Sequence, residues 1–242
     1  MDTSTQPLTL TQLTILKIIY KFRFVTADLV SSYRSTHKNA SYELLSILYK
    51  NGYIGRRYDS SYKLQGKGAR YYLTSQSLKL LKQEEGVNER VLHARYKDKH
   101  STESFVSGAL EAFKMALEIR SAYPDTFMIF SQYELANYSQ FPRPLPALYL
   151  KRNEHSPDKP NEYFIEILGD SPFFVAKKLI GQYIEHYESG EWGEGTYPHI
   201  VLQTNNTGLR KRVDECVTSL IESGFIDEEV LSIQSSVTPI SF

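Results

Sequence analysis

The stretch from residue 39 to residue 74, NASYELLSILYKNGYIGRRYDSSYKLQGKGARYYLT, contains a helical pattern followed by two extended patterns. Ala40, Leu44, Ile47 and Leu48 recur at i, i+4, i+7 and i+8, the spacing of one face of an amphipathic helix. Gly52 is typical of the residue that follows a helix. The spacing therefore predicts a helix over 39–52 with one apolar face and one polar, exposed face.

The second half of this stretch predicts a two-stranded ribbon. Tyr53 and Ile54 begin one extended pattern, and the β-favouring ARYYLT forms another. DSS and GKG between them have the composition of turns. SQSLKLLKQE follows and opens on Ser75, a favourable cap, which predicts a closing helix over 75–84. The basic residues of the ribbon are Arg56, Arg57, Lys63, Lys67 and Arg70.

Two further helices are predicted before residue 39. TLTQLTILKIIYKF at 9–22 places Gln12 three positions after Thr9, the spacing of a capping box. TADLVSSYR at 26–34 opens on Thr26, a favoured capping residue, with a short apolar stripe behind it. The chain thus begins with three short helices, a ribbon and a closing helix.

This order predicts a winged helix-turn-helix domain over residues 1–85. In such a domain the third helix fits the major groove of duplex DNA, and the ribbon places cations against phosphates. A winged helix that binds proteins instead of DNA is the alternative. The residues predicted to contact DNA lie on the outer face of the third helix and on the ribbon: Lys38, Asn39, Tyr42, Ser46, Arg56, Arg57, Lys63, Lys67 and Arg70.

Charge divides the chain into two parts. Residues 1–100 contain 17 Lys and Arg against 8 Asp and Glu, a net charge of +9, and residues 101–242 contain 11 against 20, a net charge of −9. A basic half suits a polyanionic partner. The alternative is that the two halves attract one another. Residues 86–99 have mixed charge and little periodicity, which predicts a linker or a short bridging helix.

Composition and motifs exclude several classes of site. The single Cys216 rules out an internal disulfide and a cysteine zinc cluster, and the six histidines lack paired metal-ligand spacing. There is no GxxxxGK[ST] and no GxSxG. No apolar run approaches 18 residues, and the N-terminus lacks the pattern of a secretory signal. We expect a cytoplasmic protein with no cofactor, no metal and no membrane partner.

The second half predicts an α/β domain over residues 100–242. Its patterns are a helix over 101–119, strands over 127–135, 145–151 and 162–168, a helix over 172–190, a strand over 199–204 and a helix over 208–224. A strand–helix–strand unit favours a mixed sheet with helices on its faces. This order is that of the PD-(D/E)XK restriction-endonuclease-like core, so the predicted fold class is α+β.

NEYFIEILGD at 161–170 carries the acid of such a core. The nuclease pattern has one acid after a proline on the preceding strand, a second acid on this strand and a lysine two residues later, which together support metal-dependent hydrolysis. Glu166 is in place, but Ala147 follows Pro146 and Leu168 replaces the lysine. Lys177 or Lys178 is a candidate migrated lysine. We interpret Glu166 as vestigial, or as a structural partner of His186, Tyr187 or a helix amide, and expect no nuclease activity.

The combination resembles the replication-relaxation family of plasmids and other mobile elements. The matching stretches are LKIIYKFRFVTADLV, ILYKNGYIGRRY, RYYLTSQSLKLL, PALYLK, EYFIEIL and KKLIGQYIEHYESGEW, together with His100. The resemblance spans nearly the whole chain. It implies a winged helix joined to a nuclease-like domain, with a role in plasmid replication or mobilisation. Many members keep an acid where Ala147 stands here.

We therefore predict a sequence-specific duplex DNA-binding protein of a mobile element, acting in regulation, replication or mobilisation. Residues 100–242 would be an inactive nuclease-like scaffold that supports a homodimer or a protein partner. Two alternatives remain. A convergent acidic cluster around Glu166 would favour a metal-dependent DNA nuclease. A ribbon folded against the second domain would favour an interaction adaptor without DNA affinity.

Overall fold

The computed structural model describes residues 8–156, 158–193, 195–227, 231–236 and 242. The chain divides into two compact units, Met1–Leu117 and Glu118–Phe242. Both contain helices and a sheet, so the fold is α+β, as predicted. The boundary between the two units was predicted at residues 86–99. It lies instead inside the continuous helix Glu103–Ala122.

The first unit follows the predicted order, with one addition between the two strands. It contains α1 (Leu10–Phe22), α2 (Ala27–Arg34), α3 (Lys38–Lys50), β1 (Ile54–Arg57), α4 (Ser60–Leu64), β2 (Arg70–Leu73), α5 (Ser75–Leu81), α6 (Glu89–Ala94), a 3-10 helix (Arg95–His100) and the start of α7 (Glu103–Ala122). Strands β1 and β2 pair antiparallel. The DSS stretch, predicted as a turn, instead begins α4, because the Asp59 carboxylate accepts hydrogen bonds from the N–H groups of Ser61 and Tyr62.

The caps of the first two helices form as predicted. Thr9 and Gln12 make the reciprocal hydrogen bonds of a capping box, and Thr26 accepts from the N–H of Leu29. The cap of α5 is Thr74, one residue before the predicted cap Ser75, and the N–H of Thr74 donates to the Ser77 hydroxyl. The core of this unit is formed by fully buried apolar side chains of α1, α2 and α3: Ile15, Leu16, Ile19, Val30, Leu45 and Leu48.

The predicted apolar face of α3 is only partly buried. Its buried face is formed by Ser41, Leu45 and Leu48, whereas Ala40 and Ile47 are exposed. The difference arises because a serine occupies the buried stripe, where its hydroxyl lies 3.3 Å from that of Thr36. A polar residue whose hydrogen bond is satisfied can be buried without an apolar signature in the sequence. The predicted outer face, which carries Asn39, Tyr42 and Tyr49, is exposed.

Residues 86–99, predicted as a linker or a short bridging helix, contain α6 and most of the 3-10 helix and belong to the first unit. Val91 and Leu92 are buried, as are the charged side chains of Arg95 and Asp98. Arg95 donates two hydrogen bonds to the carbonyl oxygen of Tyr20, which lies in the last turn of α1. This segment is thus a packed part of the N-terminal fold.

The second unit is a five-stranded mixed sheet with two long helices. It contains β3 (Phe127–Ser131), a short 3-10 helix (Leu135–Asn137), β4 (Leu148–Arg152), β5 (Glu162–Ile167), α8 (Phe173–Ser189), β6 (His199–Gln203), α9 (Thr207–Glu222) and β7 (Ile233–Ser236). The strand order is β3-β4-β5-β6-β7; the first two pairings are antiparallel and the last two parallel. The predicted order of strands and helices is confirmed, and β7 was not predicted.

The core of the second unit lies between the sheet and helices α8 and α9. Buried residues of β5 and β6, among them Phe164 and Ile200, pack with Ile180 and Tyr183 of α8 and with Val213 of α9. Helix α8 follows Pro172 and ends at Gly190, which adopts a left-handed conformation (φ +69°), as predicted. No helix in the described part of the chain is both long and apolar enough to cross a bilayer.

Candidate nucleic-acid interface

The outer face of α3 carries a stripe of polar and aromatic side chains, of which the two tyrosines are exposed and the serine is half-buried. Tyr42, Ser46 and Tyr49 recur at i, i+4 and i+7, so they lie along one line of the helix surface. Tyr42 is 51% exposed and Tyr49 40%. Asn39 is also exposed, and it is not the cap of α3, because the cap position is His37. The Asn39 amide is therefore not engaged in capping the helix.

Arg56 of β1 extends this stripe. Its guanidinium carbon lies 4.6 Å from the centroid of the Tyr49 ring, in a cation–π contact. Arg56 pairs with Tyr71 across the ribbon, so both side chains lie on the same face of the two strands. Burial raises the pKa of the Tyr71 hydroxyl, and the nearby charge of Arg56 acts in the opposite direction. Tyr49 was not among the predicted contacts, although its spacing of seven from Tyr42 indicates the shared stripe.

One carboxylate on the opposite face of the ribbon pairs with two of its arginines. Arg70 donates to Glu103 Oε1, the Tyr62 hydroxyl donates to Glu103 Oε2 at 2.7 Å, and Arg57 Nη2 lies 3.5 Å from Oε2. Arg57 also donates to the carbonyl oxygen of Ser101 at 2.5 Å. Partial burial raises the pKa of Glu103, but the Tyr62 hydrogen bond and the two arginines outweigh it, so the pKa lies below its ordinary value.

Three of the predicted phosphate or base contacts are thus engaged within the first unit. Arg70 is buried and Arg57 half-buried, both on Glu103, and Lys38 Nζ lies 2.6 Å from Asp28 Oδ1 on the surface. Arg70 therefore does not belong to the exposed basic surface predicted for the ribbon. Sequence patterns do not reveal this ion pair, because Glu103 lies 33 residues after Arg70 in the chain.

The remaining predicted cations of the ribbon are exposed. Lys63 lies in α4 and Lys67 in the following loop, and neither has an acidic partner in the part of the chain that the structure describes. Lys50, at the end of α3, is exposed in the same way. With Arg56, these residues form a basic surface that pairs with no carboxylate within the described ranges.

Removal of the Glu103 carboxylate should destabilise the first unit. Glu103→Ala leaves the buried Arg70 without its ion-pair partner, and we expect a loss of about 1–2 kcal/mol, discounted because Glu103 itself is partly exposed. Thermal melting and denaturant titration measure it. Glu111→Ala on the exposed face of the same helix is the matched control and should change stability by less than about 0.5 kcal/mol. Equal effects of the two substitutions would contradict a role for the Glu103 cluster.

The candidate nuclease position in the second unit is a buried, isolated carboxylate. Glu166 is 8% exposed and accepts a 2.7 Å hydrogen bond from the Tyr183 hydroxyl, so its partner is Tyr183 and not His186 or Tyr187. The backbone of Ala147 also hydrogen-bonds to it. Burial raises the pKa of Glu166 to about 7, against the smaller lowering effect of these two hydrogen bonds.

The other groups of the nuclease pattern do not surround Glu166. Leu168 is buried at 3% exposure, and Lys177 and Lys178 lie on the exposed face of α8. Two other carboxylates lie near Glu166 in the sequence. Glu162 lies 3.3 Å from Lys151, and Asp170 is exposed. Within the described ranges, no group of three or more His, Cys, Asp or Glu side chains could hold a metal ion.

Comparison with known proteins identifies no family. No protein-family model matches the chain, and no curated protein matches it. One matching solved structure is that of a mutant of MarR from E. coli complexed with operator DNA, with 19% sequence identity. The match covers 48% of this chain and 76% of the MarR chain, with a TM-score of 0.30. This similarity is too weak to define the fold, and the function proposed below rests on the geometry of the chain itself.

Proposed function

We propose that the first unit is a winged helix-turn-helix that binds duplex DNA through the outer face of α3 and the tip of the ribbon. The observation that carries this proposal is the surface formed by Tyr42, Tyr49, Arg56, Lys63 and Lys67, which is exposed and has no acidic partner among the described residues. Polar and aromatic groups on a helix suit base edges in the major groove. Lysines at the tip of the ribbon suit phosphates.

The proposal predicts salt-dependent DNA affinity. If Lys63 and Lys67 each neutralise one phosphate, the Lys63→Ala/Lys67→Ala variant should reduce the slope of log affinity against log salt by about 2 units, since each phosphate contact contributes about 0.9 unit. Fluorescence anisotropy of a labelled duplex at 50 to 300 mM salt, roughly the range in which such contacts are resolved, measures it.

The control for this experiment is Lys177→Ala/Lys178→Ala, which removes two exposed lysines from α8. That variant should keep the slope of the parent chain. If both double variants lower the slope equally, binding is a general effect of charge. If the parent chain binds no duplex even at low salt, the proposed function is wrong.

We propose further that the second unit is a non-catalytic scaffold, with a nuclease-like core that has lost its metal ligands. Glu166 is the remaining carboxylate, and its hydrogen bonds to Tyr183 and to the backbone of Ala147 use the oxygens that a cation would need. We expect the purified chain to leave supercoiled DNA intact in millimolar Mg²⁺ or Mn²⁺. Metal-dependent nicking that Glu166→Ala abolishes would overturn this proposal and restore the nuclease alternative.

Membership of the replication-relaxation family, and a role in regulation, replication or mobilisation of a mobile element, are part of the same proposal. They rest on the sequence stretches named above.

The second candidate function is an adaptor that binds proteins through α3, and one observation favours it. Ile47 is 43% exposed beside the two exposed tyrosines, which gives α3 an apolar component. Light scattering of the parent chain and of Ile47→Ser, without DNA, separates the two functions.

A further inference from the structure

We propose that Arg56 is a sequence-selecting residue that binds the major-groove edge of a guanine, and that Tyr49 positions its guanidinium for this contact. The inference rests on the proposed DNA-binding function and deepens it by naming the base and the residue pair. The surface that would contact the bases is formed by Tyr42, Ser46 and Tyr49 on α3. Arg56 lies beside the C-terminal end of this stripe.

The contact with Tyr49 restricts the arginine. A guanidinium carbon 4.6 Å from a ring centroid is restrained by the cation–π contact, so less side-chain entropy is lost when the group forms two parallel hydrogen bonds. Arg56 is nevertheless exposed, and it also hydrogen-bonds to the Tyr71 hydroxyl. An exposed arginine restrained in this way is suited to a planar pair of acceptors.

Charge distinguishes Arg56 from the other arginines of the ribbon. Alternation along β1 places Arg56 and Arg57 on opposite faces, and pairing places Arg70 opposite Arg57. Glu103 forms ion pairs with both Arg57 and Arg70 on their face. Arg56 is in contact with aromatic rings, and no carboxylate lies within ion-pair distance of it among the described residues. Arg56, on the face next to α3, is thus the arginine of this sheet without an ion pair among those residues.

The position of Arg56 favours a base over a phosphate. It continues the outer stripe of α3, the helix proposed to enter the major groove, whereas Lys63 and Lys67 lie at the tip of the ribbon. Guanine offers O6 and N7 as adjacent acceptors on its major-groove edge, which match the two donors of a guanidinium. Lysine also donates to these acceptors, but it lacks the planar fork of two parallel donors, so its pairing with guanine is less closely matched.

The experiment begins with the full chain and a pool of random-sequence duplexes, from which bound sequences are selected. Each guanine of the selected site is then replaced in turn by 7-deazaguanine, which lacks the N7 acceptor. For the parent chain, we expect one replacement to weaken binding by about 10-fold, within the range typical of one bidentate contact. Arg56→Ala should bind the natural and the 7-deaza duplex equally well, and Arg56→Lys should show a smaller difference between them than the parent.

Further variants test the positioning role and the fold. Tyr49→Phe keeps the aromatic ring and should keep the guanine preference, whereas Tyr49→Leu should lose the preference with an unchanged salt slope. Arg90→Ala removes an exposed arginine of α6 and should behave as the parent. Circular dichroism and melting of each variant show whether it is folded, and a selection repeated with Arg56→Lys keeps the test valid if Arg56→Ala unfolds.

The results separate a failure of the proposed DNA binding from a failure of the guanine assignment. If the parent binds no duplex, the proposed function fails together with this inference. If the parent selects a site but Arg56→Ala keeps the same preference, the inference alone is overturned. If Arg56→Ala weakens all duplexes equally and lowers the salt slope by about 1 unit, Arg56 binds a phosphate and the guanine assignment is overturned. If Arg56→Ala abolishes a dimer formed without DNA, the face is a protein interface instead.

Discussion

The Glu166→Gln substitution should stabilise the second unit by about 3 kcal/mol at pH 8 and by much less at pH 5. The carboxyl group of Glu166 is buried, and its pKa is raised from 4.5 to about 7 by loss of hydration. Glutamine is close in size and always neutral, so it should occupy the same place without the desolvation penalty. The Tyr183 hydroxyl can donate to the glutamine oxygen as it does to Glu166.

The direction of this pH dependence follows from proton binding in the folded and the unfolded chain. Between pH 4.5 and about 7, Glu166 is protonated in the folded chain and ionised in the unfolded chain. The folded state therefore binds more protons, and stability must fall as pH rises through this window. The stabilising contribution of the neutral group is complete below pH 4.5 and lost above about pH 7, where the folded chain buries a charge.

Trp192 allows the second unit to be followed by itself. It is the only tryptophan of the chain, and its ring centroid lies 5.3 Å from those of Phe141 and Phe164 in the core of this unit. Denaturant titrations followed by tryptophan fluorescence from pH 5 to pH 8, a window that spans most of the expected change, give the two free energies of unfolding. Glu185→Gln, on the exposed face of α8, is the control and should show no comparable change.

The histidines of the same unit titrate in the opposite sense and cancel in the comparison. Burial lowers the pKa values of His186 and His199, so they add stability as pH rises towards their unfolded values. Both are present in the parent and in the variant. The difference between parent and variant therefore reports Glu166. A difference that does not grow with pH would contradict a buried, protonated carboxyl group.

Local sequence patterns were sufficient for most elements of the fold. The capping box at Thr9, the cap at Thr26, and Pro172 and Gly190 around α8 each depend on residues within a few positions of one another. Such short-range hydrogen bonds and backbone preferences are visible in a sequence. Strand β7 was missed because its stretch IQSS has only four residues and a single apolar one.

The errors share a different cause, which is burial of polar groups by distant partners. Ser41 on the buried face of α3, and Arg95 and Asp98 in the 3-10 helix, all look like surface residues in the sequence. Their partners belong to other elements or to a loop, so periodicity cannot reveal them. The candidate site shows the same limit. The ribbon arginines were correctly placed on strands. Glu103 forms ion pairs with Arg57 and Arg70, and this could not be read from the sequence.

The Asp98→Ala substitution should destabilise the first unit by about 3–5 kcal/mol, because it breaks a buried ion pair from one side. Asp98 has no exposed side-chain surface, and its Oδ1 accepts a 2.8 Å hydrogen bond from Arg23 Nε. The positive charge of Arg95 lies close enough to act on the same carboxylate. Removing Asp98 takes a buried negative charge away from these two largely buried guanidinium groups, while the stretch that contains it continues to pack against α1.

Hydrogen exchange measured by mass spectrometry on peptides from α1 resolves this effect from events in the second unit. A loss of 3 kcal/mol should accelerate exchange of the most protected α1 amides by about 100-fold. Lys97→Ala and Lys99→Ala alter the exposed neighbours of Asp98 and should leave that exchange within about threefold of the parent. Asp98→Asn keeps an acceptor for Arg23 but not the charge. Its exchange rates should therefore lie between those of Asp98→Ala and those of the lysine variants. If all four variants behave alike, residues 86–99 do not stabilise the N-terminal fold and are the linker that their composition indicates.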